Sequence, residues 1–121
     1  MIGVAVVPPA STIASKEVND CAVRALAVAC GLTYEQAHHR LQVAGRKPRH
    51  KTKLVVSDRV YAEAGLTQYH CQGITVERFL YIHRRFTGIL HVRGHMIGVC
   101  DGNIFDWVPS DSRRIVKDYW K

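Results

Sequence analysis

The sequence predicts an α+β domain in which helices from the first two-thirds of the chain pack on a small antiparallel sheet from the last third. Three observations carry the α+β prediction. Apolar residues before Arg85 fall mostly at helical spacing, whereas from Gly88 onward they fall in short strand-like runs. Asp101-Gly102 between two such runs is a strong hairpin signal. The 121 residues, 47% of them apolar, suffice for one core and not for two, so residues 1–121 form a single domain.

In order along the chain, residues 2–7 read as a strand stopped by Pro8-Pro9, and residues 10–17 as a polar loop. A helix is expected over residues 20–30. Asn19 or Asp20 is a good capping type at its start, and Gly31 is its left-handed stop. Thr33 and Gln36 have capping-box spacing for a second helix, whose inner face carries Ala37, Leu41 and Ala44. A third helix is expected over residues 54–64 and a short strand over 67–71. A fourth helix runs from the cap residue Thr75 to Arg85. Residues 89–92, 96–100 and 103–107 read as strands, and 114–120 as a final strand or short helix.

Composition narrows the function classes. The formal charge of +7 favours an anionic partner, and the densest positive run is Arg46, Lys47, Arg49, Lys51 and Lys53. That run is either a solvated loop or a contact for nucleic acid or an acidic host protein. No aromatic residue is interleaved with it, which disfavours base stacking. The four cysteines, Cys21, Cys30, Cys71 and Cys100, contain no C-x-x-C pair, so a structural zinc site is not expected and no cofactor is implied. The apolar run at residues 2–7 is too short for a secretory signal and lacks basic residues before it, so reduced thiols and a cytoplasmic location are expected. No stretch approaches the ~20 apolar residues of a membrane span.

Chemistry concentrates at Asn19-Asp20-Cys21-Ala22-Val23-Arg24-Ala25-Leu26-Ala27. A thiol in the first turn of a buried helix sits where the helix dipole and unpaired N–H groups favour thiolate, the nucleophilic form. Cys30, Cys71 and Cys100 read as core thiols. If the hairpin loop is Asp101-Gly102 alone, Cys100 faces Asn103, Val99 faces Ile104 and Gly98 faces Phe105. His95 and Ile97 then share a face, and Asp106 becomes the diagonal neighbour of His95, with backbones ~7–8 Å apart, close enough to orient the imidazole. Asp101 lies ~20 Å along the strand from His95 and is out of reach. A three-residue loop would turn Asp106 to the other face. His38, His39, His50, His70, His83 and His91 read as surface or structural histidines. Trp107 is either a cleft wall or core.

With Gly31-Leu32-Thr33-Tyr34, Gly94-His95-Met96, Asp101-Gly102 and Asp106-Trp107, the cysteine motif resembles the papain-like cysteine peptidase superfamily. Within it, the similarity is to a small, phage-encoded, poorly characterised group, over residues 17–45 and 88–120. The resemblance implies a nucleophile heading the central helix, with a histidine and its orienting residue supplied by the sheet. It therefore implies a catalytic set of Cys21, His95 and Asp106 that hydrolyses a peptide or isopeptide bond of a peptide or protein substrate, in the host cytoplasm if phage-encoded. Where that superfamily carries an oxyanion-binding glutamine, this chain has Ser15. Lys16, Asn19 or the backbone N–H of Cys21 are the substitutes. The competing expectation is an inactive domain of the same fold whose basic surface engages nucleic acid or an acidic host protein.

Overall fold

The computed structural model describes residues 3–6, 17–106 and 112–121, residues 3–6 and 106 by backbone alone. The strand β1 (Gly3–Val6) is followed by three helices, α1 (Cys21–Cys30), α2 (Tyr34–Val43) and α3 (Leu54–Glu63). Then come β2 (Gln68–Thr75), the short helix α4 (Val76–Ile82), β3 (Gly88–Val92), β4 (His95–Cys100), β5 (Asn103–Asp106) and β6 (Ile115–Trp120).

Local chemistry sets several of these boundaries. Gly31 closes α1 in the left-handed conformation, at φ 64°. The capping box forms in full at α2: the Gln36 amide donates to Thr33 Oγ1 at 3.1 Å, and the Thr33 amide donates to Gln36 Oε1 at 2.9 Å. Thr75 caps α4 by accepting from the Arg78 amide at 3.1 Å. That helix ends at Ile82 instead of reaching Arg85, because the chain turns at His83, whose ring lies against Phe79. The Asp20 carboxylate does not cap α1. It is buried, accepting from the Tyr34 hydroxyl at 2.8 Å and pairing with Arg24 at 3.3 Å.

The strands form one six-stranded sheet in the order β1-β5-β4-β3-β6-β2. All neighbours are antiparallel except β1, which joins the edge parallel to β5. In the β4–β5 hairpin, Cys100 pairs with Asn103, Val99 with Ile104 and Gly98 with Phe105, as a two-residue loop requires. Asp101 and Gly102 have φ of 48° and 78°, the positive values of a type I′ turn. The C-terminal segment is a strand, not a helix, and β6 inserts between β3 and β2. The second strand also runs four residues past its expected end, to Thr75, with its pairing to β6 irregular between His70 and Ile74.

Both sheet faces are covered. On one, α1, α2 and α3 bury Val23, Leu26, Leu41 and Tyr61 against Ile89, Met96 and Trp120. On the other, Val76, Phe79 and Leu80 of α4 pack with Leu90, Val92, Ile97, Val99, Ile104 and Val116. Every residue of β3 is buried, which accounts for its apolar character on either side of His91. Fully burying a side chain such as Leu26 contributes roughly 1.5–3 kcal/mol. Among the described residues no helix is long and apolar enough to cross a membrane.

Candidate functional site

Cys21 is the first residue of α1, and several contacts fix that end of the helix. The Asp20 carbonyl accepts from the Val23 and Arg24 amides at 3.0 and 3.1 Å. Tyr61, fully buried on α3, donates its hydroxyl to the Ala22 carbonyl at 3.0 Å. On the sheet side, Gly98 lets the helix approach closely. A Cβ there would stand 2.8 Å from Val28 Cβ and 3.1 Å from Ala25 Cα.

The half-buried thiol of Cys21 meets the start of β4. Its sulfur shares a hydrogen bond with the His95 imidazole and accepts another from the Met96 amide. Burial pushes the thiol pKa up. The bonds to His95 and Met96, with the positive charges of His95 and Arg24, outweigh burial, and the net shift is downward. Burial raises the pKa of Cys30, with Arg40 opposing it, and burial and the Asp118 charge raise that of Cys71. Cys100, expected in the core, is exposed because it ends β4 beside the turn.

His95 reaches the thiol although Ile97, two residues on, packs in the α4-side core. His95 and Ile97 therefore do not share a face, contrary to the expectation from strand alternation. His95 opens the strand next to the Arg93-Gly94 turn, and a side chain at a strand end is not confined by neighbours on both sides. The backbone of Asp106 pairs with Val6, and the orienting role expected of its side chain lies outside the described residues, as do Ser15, Lys16 and Trp107. Asn19, the remaining side-chain candidate for binding the oxyanion, is exposed at φ 55° and donates an Nδ2–H to the Arg49 carbonyl at 3.3 Å.

Around the sulfur lies a cleft of ≈170 Å³. Ala22 lines it from α1, Met96 from β4 and Gly94 from the turn before β4, while Lys51, Thr52, Leu54 and Ser57 form a wall from the central part of the chain. His91 and Lys117 complete it. The basic segment is thus part of the site. It is held there by Glu17, whose side chain is 4% exposed. Glu17 accepts from both terminal nitrogens of Arg46 at 3.1 Å and from the Arg49 amide at 2.8 Å, and it pairs with His38 Nε2 at 2.6 Å. Burial pushes the Glu17 carboxyl up, but Arg46, His38 and the Arg49 amide prevail and hold it at about 2. Arg46, expected in the anion-binding run, is consequently buried and consumed internally. Lys47, Arg49, Lys51 and Lys53 remain exposed.

A further histidine–carboxylate pair, not foreseen from the sequence, stands in the cleft wall. His91 is buried in the cleft wall with Nδ1 3.1 Å from Asp118 Oδ2. Burial and the Asp118 charge push nearby Asp58 up, with His91 opposing them. The pairing follows from the β3–β6 register, in which His91 stands opposite Asp118, and no local pattern announces it. Among the described residues no cluster of His, Cys, Asp or Glu is arranged to hold a metal ion. No protein family, curated protein or solved structure matches this chain.

Proposed function

We propose that the protein is a papain-like cysteine peptidase that hydrolyses a peptide or isopeptide bond through Cys21 and His95. The observation that carries this reading is the hydrogen bond between the Cys21 sulfur, at a helix N-terminus and in an open cleft, and the His95 ring. A thiol with lowered pKa beside an imidazole is the pairing that nucleophilic catalysis requires.

In this mechanism the Cys21 proton resides on His95 and the thiolate attacks the scissile carbonyl carbon. The oxyanion is stabilised by N–H groups at the start of α1. Collapse breaks the C–N bond, and His95 gives its proton to the leaving amine. Water then loses a proton to His95 and attacks the thioester, which releases the carboxylic acid and restores the thiol. Asp106 is assigned the orientation of His95, as the resemblance implies. Screening a quenched-fluorescent peptide library with wild type and Cys21→Ala tests the reading. Cleavage by the wild type that falls by at least ~10³-fold in the variant supports it. Equal rates in the two proteins would contradict it, and no cleavage by either would favour the inactive binding domain.

A further inference from the structure

The cleft carries a charge pattern that thiol chemistry does not need. Among the described residues its lining includes two ammonium groups, Lys51 from the segment before α3 and Lys117 from β6, and no carboxylate. Both lysines are exposed, and neither has an ion-pair partner among the described residues. The nearest acid in sequence, Asp118, is committed to His91. Beyond Lys51 the positive surface continues into a second depression of ≈440 Å³, lined by Lys47, His50 and Lys53 and, among the described residues, again by no carboxylate. The two hollows share Lys51 as a lining residue.

We propose that the cleft selects acidic polypeptide, with carboxylate side chains flanking the scissile amide held by Lys51 and Lys117 and further acidic residues running out toward Lys47 and Lys53. This rests on the peptidase reading for what happens at the sulfur, but not for binding itself. A lysine is a point charge on a flexible stem, suited to carboxylates at variable positions. Among the described residues neither hollow is lined by a Trp, Tyr or Phe that would give nucleic-acid bases a stacking platform. That favours peptide over single-stranded nucleic acid.

Binding to the Cys21→Ala protein tests this without requiring turnover. The probes are a fluorescein-labelled Glu/Asp-rich peptide, its Gln/Asn twin and a single-stranded DNA oligonucleotide of the same net charge, read by anisotropy at low salt. The acidic peptide is expected to bind at least ~10-fold more tightly than its twin. Lys51→Glu with Lys117→Glu should erase that preference, and added salt should weaken it. Equal affinity for the two peptides, a preference unchanged in the double variant, or tighter binding of the oligonucleotide would overturn the proposal. These outcomes are separable from the peptidase reading. A reactive Cys21 that cleaves neutral and acidic peptides equally defeats only the acidic selectivity, whereas an inert Cys21 in a protein that still prefers acidic peptide defeats only the chemistry.

Discussion

Cys21 illustrates how several small effects set the state of one atom. Burial alone would keep it a thiol. One imidazole, one amide and the charge of Arg24 reverse the balance, and those groups depend on the exact seating of the helix start. Tyr34 contributes to that seating through its 2.8 Å bond to Asp20, and burial together with the Asp20 carboxylate keeps the phenol protonated. Tyr34→Phe leaves a buried carboxylate short of one donor. It should cost about 1–3 kcal/mol and lower Tm by several degrees in calorimetry. An unchanged Tm would show that the bond contributes nothing net.

At the scale of elements, the site depends on α1 lying close to β4. Gly98 permits the contact, with its hydrogens facing Val28 and Ala25. Gly98→Val puts a branched side chain into occupied space. It should cost about 1–3 kcal/mol by overpacking and displace the helix that carries the thiol. Urea denaturation and Cys21 alkylation rate should therefore fall together in this variant. Stability lost with the alkylation rate intact would show that the site tolerates movement of the helix.

For the whole molecule, Glu17 connects the segment before the nucleophile to α2 and to the basic wall of the cleft. Its carboxyl has a lower pKa folded than unfolded, so the stability it gives is complete above about pH 4.5 and disappears as the pH falls toward 2. Glu17→Gln leaves Arg46 buried without its counter-charge and should cost roughly 3–5 kcal/mol at neutral pH. Urea titrations should show the gap from wild type narrowing in acid, whereas a gap independent of pH would argue against the ion pair. What the sequence made legible was local: the capping box at Thr33, the Gly31 stop, the Asp101-Gly102 turn and the placement of Cys21 at a helix start each follow from neighbouring residues. The rest depended on distant partners. Asp20 was drawn from its cap by Tyr34, Arg46 was buried by Glu17, and β6 brought Lys117 and Asp118 to the site only by inserting beside β3. No periodicity encodes such meetings.

Mass-spectrometric mapping of iodoacetamide labelling at pH ~6 tests the central pairing most directly, because only a thiolate reacts appreciably there. Cys21 should be labelled well ahead of Cys30 and Cys71, and faster than the exposed Cys100. His95→Ala should abolish that lead. Labelling of Cys21 no faster than Cys100, or a lead that persists in His95→Ala, would contradict the account.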